Sequence, residues 1–197
     1  SGQAVSPCTE RCAAHRTSPT TFARTMPRNV EIKARLDHFN TVAAKAAAMA
    51  DHGPIAIAQD DTFFRCDNGR LKLRVFSELE GELIFYRRTD RQGPKESFYV
   101  RSPTASPATL REALTLAHGE IGRVIKDRTL YLVGRTRIHL DKVQGLGDFL
   151  ELEVVLEDGE PLEAGVREAH RLMAELGIAP SQLVGGAYVD LLTKGRR

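Results

Sequence analysis

The stretch Asn29-Val30-Glu31-Ile32-Lys33-Ala34-Arg35-Leu36 places a polar or charged residue at every odd position and an apolar one at every even position. A period of two sends successive side chains to opposite faces of a β-strand. One face is apolar. The other carries an amide, an acid and two bases. Half-buried strands often turn a polar face to water, so one such strand is ordinary. Here the pattern recurs along the chain, with more bases than acids on the polar face.

Arg70, Lys72 and Arg74 alternate with Leu71, Leu73 and Val75. Lys126 and Arg128 share one face of a later segment, with Ile125 on the other, although Val124 breaks strict alternation. Arg135, Arg137, His139 and Asp141 stand against Ile138 and Leu140, and Glu151 and Glu153 against Leu150, Leu152 and Val154. The turn around Gly93 is flanked by Arg88 and Lys95, with Arg87 as the alternative to Arg88.

Eight strands are predicted over 28–36, 61–66, 70–77, 82–88, 95–101, 121–132, 135–141 and 148–157. An Ala-rich helix over 38–52 follows Asp37 as N-cap. A helix over 107–118 is capped by Ser106, opened by Pro107 and stopped by Gly119. A third, over 161–176, opens on a proline and closes at Gly177, and a short helical turn covers 186–193. Asp67-Asn68-Gly69 and Gly134 mark hairpins. Meandering strands with helices outside them predict an α+β fold: an eight-stranded antiparallel β-barrel with helices packed on its exterior, which leaves no open sheet edge.

At 197 residues, 42% hydrophobic and 27% charged, the chain fits one soluble domain, and a net charge of +2 gives no whole-molecule attraction to nucleic acid or membrane. No apolar run approaches the roughly 20 residues that span a bilayer. Residues 1–27, rich in Ser, Thr, Pro and Ala, read as a flexible tail before a domain over 28–197; Ser1-Gly2 resembles an expression scar and Met26 a start. Cys8, Cys12 and Cys66 are too few for a disulfide framework and suit a reducing, cytoplasmic setting. Cys8, Cys12 and His15 offer three candidate ligands without a second pair, a poor basis for a metal site.

In a helix-coated barrel the apolar faces meet the helices and the charged faces line the interior, whereas small barrels ordinarily fill their interior with apolar side chains. Burying that many cations requires compensation. Two forms are open: internal salt bridges or strands facing bulk water, and a solvated tunnel. In the tunnel, Arg and Lys hold a phosphate chain while carboxylates hold Mg²⁺ or Mn²⁺.

Asn-Val-Glu-Ile-Lys at 29–33 resembles the Glu-x-Glu-x-Lys signature of the CYTH superfamily, which joins class IV adenylyl cyclases and thiamine triphosphatases. Gly-Arg-Leu-Lys-Leu-Arg at 69–74, Val-Ile-Lys-Asp-Arg at 124–128, Arg-Ile-His-Leu-Asp at 137–141, Glu-Leu-Glu at 151–153 and Tyr188 to Leu192 follow in the family's order. The resemblance implies a tunnel that binds triphosphate and two divalent cations. By motif position Glu31, Glu151 and Glu153 are the expected metal ligands. Lys33, Lys72, Arg74, Lys126, Arg128 and Arg137 are the expected phosphate ligands, joined by Arg88 and Lys95. Asp141 matches an acidic position that orients a base or the nucleophile, and Glu31, Glu153 and Lys126 join it as catalytic candidates. Asn29 stands where the signature has its first Glu; an amide oxygen still ligates Mg²⁺ but brings no charge, so a second metal is expected to bind more weakly.

His139 is a candidate substrate contact or proton carrier, against the plainer reading that it hydrogen-bonds Asp141 or a phosphate oxygen. Phe63, Phe64, Phe85, Tyr86, Phe98 and Tyr99 read as barrel-wall core, Cys66 as a filler, and Gly145 and Gly147 as turn glycines. The resemblance implies ATP binding and favours the class IV adenylyl cyclase branch, with hydrolysis of tripolyphosphate or thiamine triphosphate as the alternative and a non-catalytic nucleotide or polyphosphate sensor as a third reading. It is compatible with a homodimer.

Overall fold

The structure, a computed structural model, describes residues 28–88 and 92–194. Eight antiparallel strands close on themselves: β1 (Arg28–Arg35), β2 (His52–Phe64), β3 (Arg70–Ser77), β4 (Glu80–Arg88), β5 (Lys95–Thr104), β6 (Glu120–Val133), β7 (Thr136–Val143) and β8 (Gly147–Val155). Around the ring they run β1-β5-β4-β3-β2-β6-β7-β8. Both ladders of β1 are antiparallel, with Glu31 opposite Lys95 on β5 and opposite Glu153 on β8. The expected architecture is present.

The helices are α1 (Phe39–Met49), α2 (Pro107–His118), α3 (Leu162–Leu176) and α4 (Tyr188–Lys194). Val30, Ile32 and Ala34 on β1 and Leu150, Leu152 and Val154 on β8, all fully buried, form the outer core of the barrel together with Ala46 of α1 and Ala169 and Leu172 of α3. The odd-numbered neighbours on the same strands point inward. α2 lies across β2, β3 and β4.

The main differences from the sequence reading lie at α1 and β2. Strand β2 begins at His52 rather than at 61, and α1 stops at Met49. The Pro-Ile-Ala-Ile-Ala run carries no alternation of polarity, yet it pairs with β6 from Ile55 opposite Leu130 onward. Ladder pairing overrides a weak local preference. Asp37 is not the N-cap of α1; His38 occupies that position, without a side-chain cap bond. Ser106 sits at the N-cap of α2 but its hydroxyl makes no cap bond, so the Pro107 start carries that end. The predicted stops hold: Gly177 adopts φ +78°, ending α3 with Ile178 N–H donating to Met173 O at 2.9 Å. The tail, including Cys8, Cys12 and His15, lies outside the described residues.

Residues 183–194 cross one end of the ring. Leu183 bridges to Ala34, Val184 N–H donates to Lys33 O, and Arg70 makes a two-point ion pair with Asp190. Ala187, Tyr188 and Val189 enter the interior and pack with Phe63, Val124, Val143 and Phe149. The Tyr188 ring meets Phe149 edge-on at 5.0 Å. The break in alternation at Val124 is thereby explained, because this end of the interior is an apolar floor.

Gly165 marks the closest approach of α3 to the barrel. A Cβ there would lie 2.6 Å from Leu156 Cδ2 and 2.7 Å from Val30 Cγ2. In an open helix Gly→Ala gains roughly 0.5–1 kcal/mol, whereas overpacking costs about 1–3 kcal/mol. The stiff, fully buried Val30 gives the second effect the larger weight. Gly165→Ala should therefore lower the midpoint of urea denaturation; a raised midpoint would contradict this packing.

Candidate functional site

The inward faces enclose a cavity of about 290 Å³. Strand β1 contributes Asn29, Glu31 and Lys33; β2, Ile57, Gln59, Asp61 and Phe63; β3, Lys72, Arg74 and Phe76; β4, Glu82, Ile84, Tyr86 and Arg88. The remaining strands add Ser97, Tyr99 and Arg101 from β5, Val124, Lys126 and Arg128 from β6, Arg137 and His139 from β7, and Glu151 and Glu153 from β8, above Ala187 and Tyr188. The residues that the family resemblance implies as ligands or catalysts are all on this wall or against it. Lys95 and Asp141 do not line the opening but are fully buried beside it.

The charges are matched in pairs across strands. Glu31 pairs with Arg88, which also donates to Gly186 O at 3.1 Å. Lys33 Nζ lies 3.1 Å from Glu151 and 3.9 Å from the centre of the Tyr188 ring. Arg128 places its Nε 2.6 Å from Asp141 Oδ1 and also pairs with Glu151. Lys126 Nζ donates to Asp141 Oδ2 at 2.9 Å, and the Tyr188 hydroxyl donates to the same oxygen at 3.0 Å. On the opposite wall Asp61 accepts from Lys72 at 2.7 Å and from Arg74 at 2.8 and 2.9 Å. Nearer the mouth, Arg137 bonds Glu153 Oε2 at 2.9 Å. Internal salt bridges and an enclosed lumen therefore coexist; the two compensations weighed from the sequence are not exclusive.

These pairs set the protonation states. Burial alone would raise the carboxyls of Asp61, Asp141 and Glu151, but neighbouring cations override it: Arg74 and Lys72 at Asp61, Arg128 and Lys126 at Asp141, and Lys33, Lys126 and Arg128 at Glu151. All three carboxyls are held well below the usual range. Burial, reinforced by Arg128, pushes His139 well below its ordinary value, so the imidazole is neutral near pH 7. Burial and then Arg74 bring Lys72 down to about 7.

Among the described lining residues, Asn29 Oδ1, Gln59 Oε1, Arg88 Nε and His139 Nδ1 are buried atoms without a hydrogen-bond partner in the protein. The expected bond from His139 to Asp141 is not its arrangement: Nδ1 lies 3.7 Å from Glu153 Oε1. One ligand atom each from His139, Glu151 and Glu153 falls within a 4.8 Å group. Carboxylate and amide oxygens with a neutral imidazole form a donor set that fits Mg²⁺ or Mn²⁺. Glu31 faces Glu153 in register and could join it.

Arg88, preferred to Arg87 from the sequence, enters the lumen, and the Arg87 guanidinium lies over the outward-facing Phe85 and Phe98 rings. Other placements correct the sequence reading. Arg135 is not on the lumen face but pairs with Glu160 and Glu168 outside the barrel. Phe63, Tyr86 and Tyr99 line the cavity instead of serving only as wall core. Asp61 was missed altogether. The signal was present in the Asp67-Asn68-Gly69 turn, whose register sets Asp61 opposite Arg74, while adjacent Asp60 faces outward to Arg111 and Arg123.

A closed antiparallel ring around a charged lumen defines a tunnel fold. The CYTH domain family matches residues 27–188, and the chain belongs to this family. Adenylate cyclase CyaB of Aeromonas hydrophila is 30% identical over 77 residues, covering 39% of this chain and 40% of that protein; the match thus spans well under half of this relative's length. The PH1012 protein of Pyrococcus horikoshii has a similar fold, with a TM-score of 0.74, 21% identity, and coverage of 83% of this chain and 99% of that one. The Hippeastrum protein HpAC1 superposes with a TM-score of 0.61 at 18% identity over 85% of this chain and 96% of its own.

The paired charges carry a stability prediction. Arg128→Ala leaves Asp141 and Glu151 short of their buried partner and should cost about 3–5 kcal/mol in the ligand-free protein. Because the native carboxyls of Asp61, Asp141 and Glu151 are depressed, their contribution is complete above the ordinary carboxylate pKa of about 4 and is lost as pH falls below it. Urea denaturation between pH 5 and 2 should show that slope, reduced in Asp141→Asn; an unchanged slope would contradict the assignment.

Proposed function

We propose that this chain is a metal-dependent enzyme that acts on a nucleoside triphosphate held in the lumen, and that its reaction is that of an adenylyl cyclase, converting ATP to cyclic AMP and pyrophosphate. The observation that carries this reading is one cavity whose acid side (Glu31, Glu151, Glu153, with unpartnered Asn29 Oδ1) faces the Lys-x-Arg pairs at 72–74 and 126–128. The name of the Aeromonas relative agrees with it.

In this reading Glu31, Glu151 and Glu153, with Asn29, hold Mg²⁺ or Mn²⁺. Such an ion, when bound, supplies Lewis-acid charge that acidifies an attacking hydroxyl and draws charge from phosphate oxygens. The protein's own groups do the rest. Lys72, Arg74, Lys126 and Arg128 donate to the triphosphate, with Lys33, Arg88, Lys95 and Arg137 completing the cationic surround and His139 donating from its neutral ring. The ribose 3′-oxygen forms its bond to the α-phosphorus as the bond from that phosphorus to the bridging β-oxygen breaks. The hydroxyl proton passes to Glu153 Oε1, since Arg137 occupies the other oxygen, Oε2. Lys126 and Arg128 hold the charge that builds on the departing pyrophosphate. Asp141, bonded to Lys126, Arg128 and Tyr188, orients these cations and carries no proton.

The cavity size supports a second reading. About 290 Å³ lies at the small end of ligand pockets, which run roughly 300–1,000 Å³. It holds the phosphate chain and leaves the organic group at the mouth, so water could replace the ribose hydroxyl as nucleophile, with tripolyphosphate or thiamine triphosphate as substrate. A dominant triphosphatase activity is described for the Hippeastrum protein.

Incubation with ATP, tripolyphosphate and thiamine triphosphate, each with Mg²⁺ or Mn²⁺, separates the readings. The cyclase produces cyclic AMP and pyrophosphate from ATP; orthophosphate without cyclic AMP would overturn it in favour of hydrolysis. Glu153→Gln should lower turnover by roughly 10²-fold or more, the scale of a lost general base. Asn29→Glu, which restores a charge to the acid side, should lower the Mg²⁺ concentration for half-maximal rate; an unchanged requirement would remove Asn29 from the metal site.

A further inference from the structure

Asp61 is a buried lumen carboxylate to which the chemistry above gives no part. It is 2% exposed and stands on β2 directly opposite Arg74 of β3. Both of its oxygens are engaged: Oδ1 accepts Arg74 Nε at 2.8 Å, and Oδ2 accepts Lys72 Nζ at 2.7 Å and Arg74 Nη2 at 2.9 Å. It does not belong to the group of donor atoms around His139, Glu151 and Glu153. A carboxylate closed on both oxygens by a guanidinium and an ammonium has no free edge for a metal ion. Nor can it serve as a base, since those two cations hold its carboxyl far below the usual range against the effect of burial.

The same construction occurs a second time in the ring. On the β6–β7 hairpin Asp141 accepts Lys126 Nζ at 2.9 Å and Arg128 Nε and Nη2 at 2.6 and 2.7 Å, and it too stands directly opposite the arginine. Each Lys-x-Arg pair thus has an aspartate on the neighbouring strand that fixes both cations side by side. An Arg fork bonded through one edge keeps its other N–H groups in the same plane and free to donate.

We infer that Asp61 is a positioning residue of the triphosphate site, holding the Lys72 ammonium and the Arg74 guanidinium together on the lumen wall so that both present their remaining N–H groups to phosphate. The inference rests on the reading of the lumen as a triphosphate site. Its consequence is electrostatic as well as geometric. Lys72 is faced by Arg74 on its own strand, by Lys126 from β6, and by the Phe63 and Tyr86 rings at 5.5 and 5.8 Å. Asp61 is the counter-charge among these neighbours. Burial and then Arg74 already bring Lys72 to about 7, and Asp61 works against both. Without Asp61 the amine is neutral at physiological pH and contributes nothing to anion binding, whereas an arginine in its place stays charged.

The test is calorimetric titration of the full chain, free of metal, with tripolyphosphate from pH 5 to 8.5. The proteins are wild type, K72R, D61N and the double variant D61N/K72R. Dividing the affinity of each lysine-bearing protein by that of its K72R counterpart at the same pH cancels the ligand's own protonation. With Asp61 present the ratio should fall through a midpoint near pH 7, a loss of about tenfold at pH 8. In the D61N pair the midpoint should move below pH 6, so that at pH 7 the ratio is already down about tenfold. D61E, which retains the charge, should keep the midpoint near 7, and it carries the test should D61N fail to fold. Equal midpoints in the two pairs, a D61E midpoint below 6, or a loss in D61N that is the same at every pH would overturn the inference. A wild type that binds no tripolyphosphate at any pH overturns the triphosphate reading beneath it; a wild type that binds, with equal midpoints, overturns the role of Asp61 alone.

Discussion

Charge enclosed in a ring of strands must be matched inside that ring. Once the apolar faces of β1, β7 and β8 are committed to the helices, strict alternation leaves Glu31, Lys33, Arg137, Glu151 and Glu153 no direction but inward. An isolated buried ion costs several kcal/mol even after relaxation. The protein meets that cost by setting acids and bases opposite each other across strand ladders: Lys33 against Glu151, Arg137 against Glu153, Arg128 against Asp141, Arg74 against Asp61. Strand register is therefore an electrostatic device here as much as a packing one.

The ion pairs divide into two kinds. Asp61 and Asp141 each hold a lysine and an arginine through bonds that use both carboxylate oxygens. Glu151 and Glu153 instead group with the unpartnered His139, and Glu31 faces Glu153 across the β1–β8 ladder. In the proposed function, a polyanion arriving with divalent ions exchanges partners with this second set, the carboxylates turning to the metal and the freed Arg88, Arg128 and Arg137 to phosphate. Such an exchange replaces one ion pair by another and leaves no charge stranded in low dielectric. The apolar floor of Phe149, Val143, Val124 and Tyr188 closes the other end of the space and brings an aromatic face beneath Lys33 and Lys126.

Much of this was legible in the sequence because alternation is a strong signal where one face is wholly apolar. On β1, β3, β7 and β8 it identified the inward residues. It failed where the polarity code is weak. The 53–60 part of β2 falls between the helix over 38–52 and the strand over 61–66 in the sequence reading, since its strand state comes from pairing with β6 and not from its own residues. Arg135 has the parity of the lumen face, but it precedes the strand and turns to Glu160 and Glu168. Asp61 stands beside another aspartate, so composition alone does not say which one faces inward. The register fixed by the β2–β3 turn does. The aromatic residues divide between lumen and exterior for a similar reason: Phe63 and Tyr86 face Lys72, whereas Phe85 and Phe98 face Arg87 outside.

Crystallography with Mn²⁺ and tripolyphosphate, using the anomalous signal of the ion, decides whether the acid side of the lumen holds metal while the two Lys-x-Arg pairs hold phosphate. The expected result is an anomalous peak bounded by the carboxylates of Glu31, Glu151 and Glu153. The anion should lie between Lys72–Arg74 and Lys126–Arg128, with Arg88 released from Glu31. A peak elsewhere, or an anion bound outside the ring with the Glu31–Arg88 and Glu151–Arg128 pairs intact, would contradict it.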